Sequence, residues 1–163
     1  MTKTPLILTK NDITLINNIL SNLLKQSDGK CCLVVNQDGK CIAKRGFTQN
    51  MDTTTLAALV AGSFASTRAM AQLLGEKDFT VLFHQGEKDH IHNMMIDSNN
   101  ILTVIFDDRT TIGMVRLYSK EATKHLQDVL DRARKKRLRT PDDNLNISKE
   151  AEERLEDLFK DSQ

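Results

Sequence analysis

The side chains best suited to bind a metal or to act as nucleophiles are three cysteines and three histidines between residues 31 and 92. Two cysteines are adjacent and two histidines form a single H-x-H pair, so neither group has the paired spacing of a zinc site. No third residue stands out that would orient a Cys–His catalytic pair. We therefore expect that these residues bind no metal or cofactor and form no catalytic centre. They are Cys31, Cys32, Cys41, His84, His90 and His92.

Glycine-rich loops that hold phosphates are absent from the sequence. Neither G-x-x-x-x-G-K-[ST] nor G-x-G-x-x-G occurs among the 163 residues, although such loops supply the backbone N–H groups that bind nucleotide phosphates. We therefore expect that the chain is not an enzyme and does not hydrolyse a nucleotide itself.

Charge is balanced overall but unevenly distributed along the chain. The net charge is +1, yet residues 120–139 carry +5 and residues 140–163 carry −5. The basic run at 132–139 (RARKKRLR) has three interpretations: a solvated helix end that complements the helix dipole, a docking site for an acidic partner or for the chain's own acidic tail, or a nucleic-acid contact. No aromatic residue is interleaved with these cations, so nucleic acid is the least favoured partner.

The hydropathy of the chain and its cysteines indicate the cellular compartment of the protein. The longest apolar stretch, Leu56 to Ala65, is too short to span a bilayer, and no membrane partner is expected. Three cysteines, two of them adjacent, do not form a disulfide framework and suit a reducing compartment. The predicted location is the cytoplasm.

Hydrophobic periodicity and turn residues predict eight elements that position these side chains. Asp52 is a natural N-cap and Gly75 a natural stop for the second helix. The helices are predicted over about 12–26, 53–74 and 110–136, with a hairpin around Gln37-Asp38-Gly39 and three strands over 79–85, 90–97 and 101–106. The order α-β-β-α-β-β-β-α, with five antiparallel strands, is typical of an α+β fold built as a three-layer α/β sandwich.

The end of the chain is predicted to be separate from this domain. Residues 1–137 form the domain, residues 138–146 a linker around Thr140-Pro141, and residues 147–163 an amphipathic C-terminal helix or tail. A helix this short is marginal alone in water, so we expect it to fold back on its own sandwich or to dock on a partner. Its apolar face comprises Ile147, Ala151, Leu155, Leu158 and Phe159.

The second helix lacks the charged outer face of an ordinary surface helix. On a helical wheel, its larger side chains are predicted to face the sheet: Leu56, Leu59, Val60, Phe64, Thr67, Met70, Ala71 and Leu74. Small residues occupy the other side, where another backbone can approach closely. We predict that a partner protein or a second copy, rather than another helix of the same chain, covers this side: Ala57, Ala58, Ala61, Gly62, Ala65, Ser66 and Ala69, with Arg68 and Gln72.

The third predicted strand adds a second exposed feature. If it lies at a sheet edge, its unpaired amides invite pairing with another chain, and it carries no inward Lys or Pro as protection. A homodimer that joins two sheets edge to edge through Phe79, Val81 and Phe83 is therefore predicted.

Three segments in this order resemble the roadblock family, and more narrowly its bacterial MglB branch. They are DTTTLAALVAG at 52–62, FHQGEKD at 83–89 and VIFDDRTTIGMVRL at 104–117. The resemblance covers about residues 10–135, and the final ISKEAEERLEDLF also resembles the C-terminal segment of that branch.

The resemblance implies a homodimer that binds a Ras-like small GTPase of the MglA type on the second-helix face and stimulates its GTP hydrolysis. The residues it implies for this contact are Ala57, Ala58, Ala61, Gly62, Ala65, Arg68, Ala69, Gln72 and Arg116, with Leu155, Leu158 and Phe159 for tail docking. It further implies a role in cell polarity and motility, with enrichment at a cell pole. Two alternatives stay open: a scaffold that tethers a GTPase without changing its rate, and an adaptor that binds nucleic acid through 132–139.

The remaining chemical question is whether this chain inserts an arginine side chain, an arginine finger, into the active site of the GTPase. Such a finger adds about 10³–10⁵ in rate, and the candidates are Arg68, Arg109 and Arg116. The resemblance implies that this branch instead repositions the GTPase's own catalytic residues.

Overall fold

Five short segments rich in β-branched and apolar residues form one antiparallel sheet in the computed structural model. It describes residues 6–160 and, in the last helix, only the backbone of residues 137–152, 158 and 159. The strands are β1 Cys31–Asn36, β2 Cys41–Gly46, β3 Val81–His84, β4 His90–Asp97 and β5 Asn100–Phe106. Their order in the sheet is β2-β1-β5-β4-β3, so β3 lies at one edge.

Three helices cover the two faces of the sheet: α1 Lys10–Ser27, α2 Thr53–Leu74 and α3 Ile112–Lys160. Helices α1 and α3 pack against each other and against one face, whereas α2 packs alone on the opposite face. All seven residues of the central strand β5 are buried, because both of its sides face helices. The predicted element order and the three-layer sandwich are confirmed.

Helix α2 begins and ends where its capping residues predict. The Asp52 carboxylate accepts hydrogen bonds from the Thr55 hydroxyl at 2.6 Å and from the Thr55 backbone N–H at 3.0 Å. These bonds hold the pKa of Asp52 below its usual value. At the other end Gly75 adopts a φ of 75°, the left-handed conformation that closes a helix.

Helix α3 continues through the predicted linker. It runs for 49 residues to Lys160. The sequence instead predicts a helix that ends at about Lys136, a linker at 138–146 and a second short helix. Pro141 favours a break. Arg, Lys and Leu, which have high helix propensity, dominate the residues before it, whereas Asp, Asn and Ser, which have low helix propensity, dominate those that follow. The division into a domain and a separate tail stays a prediction.

Candidate partner-binding surface

The orientation of α2 decides which residues a partner meets. Val60 and Phe64 pack on Ile101 of β5, and Ala57 packs on Leu33 and Val35 of β1. Ala57, Ala61 and Ala71 are buried. Small side chains and the larger Val60 and Phe64 therefore share the sheet side of α2.

The outer side of α2 is more apolar than the sequence predicted. Leu59, Leu73, Leu74 and Met70 are 64%, 88%, 71% and 52% exposed. Gly62 is exposed near the middle of this side, and a Cβ added there would meet no atom within 4 Å. Large exposed apolar patches mark sites of protein interaction. We call the exposed residues Ala58, Leu59, Gly62, Ala65, Ser66, Ala69, Met70, Gln72, Leu73 and Leu74 the α2 outer face.

The predicted outward orientation of two contact residues is wrong. Ala57 and Ala61 were expected on the outer side, but they are 0% and 8% exposed beneath the helix. The helical wheel predicts that Leu59, Met70 and Leu74 face the sheet, but these side chains are exposed on the outer side instead. The predicted residues Ala58, Gly62, Ala65, Ala69 and Gln72 are exposed. Because α2 carries apolar residues on every side, periodicity alone does not fix its orientation.

Arg68 is the only arginine of α2, and its guanidinium is engaged within the chain. Its Nε donates to Oδ1 of Asp78 at 3.2 Å, and its Nη2 donates to the backbone carbonyl of Ser98 at 3.2 Å. The side chain thereby links α2 to the turn between β4 and β5 and to the segment before β3.

Arg116 does not lie near the predicted contact residues of α2. It is exposed on α3, which packs on the sheet face opposite to α2. Its charge acts on His92, a buried residue of β4. The structure therefore separates Arg116 from the other predicted contact residues of the same chain. Arg109, the third candidate finger, donates from Nε to Asp107 Oδ1 at 3.0 Å in the loop after β5.

Strand β3 presents an open edge, as predicted, although it is shorter than predicted. Phe79 precedes the strand, whereas Val81 and Phe83 lie within it. The Met95 N–H donates to the Thr80 carbonyl at 2.8 Å, which makes Thr80–Met95 a hydrogen-bonded pair of the β3–β4 ladder. Since such pairs alternate, the backbone N–H and C=O groups of Val81 and Phe83 point away from β4. A second chain can pair with these groups.

All three cysteines are free, and burial raises the pKa of Cys31 to about 11 and raises those of Cys32 and Cys41 as well. No cluster of three or more His, Cys, Asp or Glu side chains suited to a metal is present among the described residues.

His92 is fully buried, and neither of its ring nitrogens has a hydrogen-bond partner among the described residues. Burial, with a smaller contribution from the Arg116 charge, lowers the pKa of His92 to about 4. The ring is therefore neutral at physiological pH and packs as part of the core between α3 and the sheet.

The basic run on α3 is partly engaged in the fold. Arg134 donates from Nη2 to Oδ2 of Asp97 at 2.7 Å, and the Asp97 carboxylate is almost buried. This pair joins α3 to the turn between β4 and β5. Arg132 is exposed at the start of the run, and its Nε donates to the Asp128 carbonyl.

The C-terminal stretch of α3 is described in part. Leu155 is 54% exposed, whereas the side chains of Leu158 and Phe159, the other two residues predicted for tail docking, lie outside the described residues. None of the described helices has the length and apolarity needed to cross a membrane.

Comparison with known proteins relates this fold to one family and to several solved structures. The family model of the Roadblock/LC7 domain matches residues 15–106. Myxococcus xanthus MglB is 40% identical, with a TM-score of 0.70, over 72% of this chain and 96% of that one. The gliding protein MglB of Thermus thermophilus is 27% identical, with a TM-score of 0.74, over 80% of this chain and 99% of that one.

A further solved structure, described as MglB with a tetrameric arrangement, is 27% identical with a TM-score of 0.76 over 81% of this chain and 99% of that one. No curated protein matched the chain.

Proposed function

Because this chain belongs to the Roadblock/LC7 family, we propose that it is a homodimeric regulator of a Ras-like small GTPase of the MglA type and accelerates GTP hydrolysis by that partner. The observation that carries the proposal is the α2 outer face. It combines small residues such as Gly62 and Ala65 with exposed Leu59 and Leu73, in a chain 40% identical to an MglB.

The proposed mechanism uses binding energy alone. A regulator shifts its partner's conformational equilibrium only through contacts that differ between the two states. The α2 outer face would bind the GTPase best in its hydrolysis-competent conformation and so position the GTPase's own catalytic residues. An inserted Arg68 is not needed, since its guanidinium already binds Asp78 and Ser98.

The homodimer forms at β3 in this proposal. Pairing of the outward backbone groups of Val81 and Phe83 with those of a second copy would join two sheets. Antiparallel pairing about a two-fold axis perpendicular to the sheet would bring two α2 helices to the same face of the joined sheet, so the GTPase would meet two copies of the α2 outer face. The C-terminal stretch around Leu155, with Leu158 and Phe159, is proposed to add contacts to this complex.

The proposed setting is the cytoplasm, with the GTPase switch serving cell polarity and motility and the protein enriched at a cell pole. These statements rest on the similarity to MglB proteins.

The test is to measure binding and hydrolysis separately with an MglA-type GTPase from the same genome. Titration of the GTP-loaded GTPase gives the affinity, and single-turnover hydrolysis gives the rate with the chain in excess. Binding with acceleration supports the proposal. Binding at an unchanged rate assigns a scaffold instead, and the absence of both removes the proposed partner.

A further inference from the structure

A groove with a basic rim lies between α1 and α3. Its volume is about 340 Å³, and its lining comes from the first turns of α1 and from residues 129–136 of α3. Leu15, which is 42% exposed, supplies most of the apolar surface, because Val129, which also lines the groove, is only 3% exposed. Arg132 and Lys136, one helical turn apart on α3, form the basic side.

The acidic group in this groove is already engaged. The Asp12 carboxylate accepts the Thr9 backbone N–H at 2.9 Å as part of the capping box of α1. This bond leaves the negative charge of Asp12 in place, but the two cations of α3 outnumber it. The α3 side of the groove is a positive rim beside an apolar floor, which fits an amphipathic segment with acidic flanks.

We propose that this groove binds the C-terminal stretch of α3, around Leu155 and Glu156, from a second copy of the chain. Residues 140–163 carry a net charge of −5, against +5 for residues 120–139 that include the rim. Leu155 and Glu156 are both exposed. In the docked state Leu155 lies against Leu15 and Glu156 lies at the rim beside Arg132.

The occupant comes from a second copy because the chain's own C-terminal stretch is out of reach. Arg132 and Glu156 lie on the same continuous helix, and 24 residues at 1.5 Å each place them about 36 Å apart along its axis. Each copy offers one groove and one acidic stretch. An antiparallel pair of α3 helices therefore makes two identical contacts and closes on itself, whereas a parallel pair would place like charges together.

This contact goes beyond the proposed function and does not require the GTPase. It uses the same stretch around Leu155 as the proposed contact with the GTPase, so one copy of the stretch makes only one of the two contacts at a time. It uses α1 and α3, whereas the proposed homodimer uses β3 on another part of the molecule. If the homodimer forms, the α3 contact joins dimers to one another. If it does not form, the same contact joins monomers.

The test is sedimentation equilibrium of the full chain at low ionic strength, with two charge reversals. Arg132→Glu and Glu156→Arg each place like charges in both contacts of a self-associating pair, and each is expected to weaken the α3-mediated association step about tenfold. Mixing the two variants makes both contacts complementary again, so the mixture should associate as the wild type does. Raising the salt should weaken association of the wild type.

Lys124→Glu on the body of α3 and Asp157→Arg on the acidic stretch are the matched controls. Both residues are exposed. Lys124 lies outside the groove, and Asp157 lies about 200° round the helix from Leu155 and about 100° from Glu156. Neither control should change association. Variants that associate like the wild type, or a mixture that fails to recover, would overturn the proposal, since only a contact between copies is restored by mixing.

Discussion

Arg68 of α2 donates a hydrogen bond from Nε to Oδ1 of Asp78 across 3.2 Å, while its Nη2 holds the Ser98 carbonyl. A guanidinium held from two sides positions the C-terminal half of α2 over the sheet. This geometry favours the role of an anchor for the α2 outer face over that of a group that enters a partner's site.

An anchor and a finger give different mutant kinetics. Arg68→Ala is expected to lower stimulated GTP hydrolysis only a few-fold, whereas loss of a finger costs about 10³–10⁵. Asp78→Ala should cause a similar small loss, because it removes the same link. A thousandfold loss for Arg68→Ala, with Asp78→Ala unchanged, would assign Arg68 to chemistry instead.

Gly62 stands on the α2 outer face in open space. Gly62→Ala should raise the free energy of unfolding by about 0.5–1 kcal/mol, because alanine has the higher helix propensity and no clash opposes it. Urea denaturation measures the change. Gly46→Ala is the contrasting variant: there φ is 94° and a Cβ would lie 2.5 Å from the Lys30 carbonyl oxygen, so stability should fall. A loss of stability for Gly62→Ala would show that this side of α2 is not open.

The edge of β3 can be blocked without disturbing the ladder to β4. Val81→Pro removes a backbone N–H that points away from β4, at the first residue of the strand, where proline is tolerated. We expect this variant to sediment as a monomer at high ionic strength, where the charge-dependent α3 contact is weak and the wild type is still a dimer. Val81→Ala keeps the N–H and should remain dimeric. A dimeric Val81→Pro would place the dimer contact elsewhere.

His92 predicts a pH dependence of stability. Its folded-state pKa of about 4 lies below the unfolded value near 6.5. The unfolded chain therefore binds a proton first, and stability is lost as pH falls from about 6.5 towards 4. Between pH 7 and pH 5 this single group should lower the free energy of unfolding by about 2 kcal/mol.

His92→Met, a substitution of similar volume, isolates this effect. Denaturation of the wild type and of the variant at pH 7 and pH 5 compares the two slopes. The variant should lose less stability than the wild type over this range, while His125→Gln, at an exposed position, should keep the wild-type slope. Equal slopes for His92→Met and the wild type would contradict the burial of a neutral ring.

The elements were predictable because their signals are local. Asp52 and Gly75 end α2 through short-range bonds and backbone conformation, and the β1–β2 hairpin follows from its turn residues. The orientation of α2 was not predictable in the same way. Alanine and leucine occur on all its sides, and the choice between Ala57 and Leu59 depends on the strand residues beneath them, which are remote in sequence.

The hydrogen-bond partners of individual side chains were also not predictable from the sequence. Asp78 lies ten residues after Arg68, and Ser98 lies thirty after it, so neither contact leaves a periodic signal. Arg116 was grouped with α2 through the family resemblance, but the sheet separates the two helices. Spacing along one chain does not show on which face of a sheet a later helix packs.

The most direct test of the central claim is single-turnover GTP hydrolysis by the MglA-type GTPase with three forms of the chain in excess: wild type, Ala65→Arg and Lys124→Glu. Ala65 is exposed on the α2 outer face, and Lys124 is exposed on α3 across the sheet. We predict that the wild type and Lys124→Glu accelerate hydrolysis about tenfold or more. Ala65→Arg should remain folded but should not accelerate hydrolysis, so the GTPase keeps its intrinsic rate. Full acceleration by Ala65→Arg would contradict the account, because the α2 outer face would then not be the surface that acts on the GTPase.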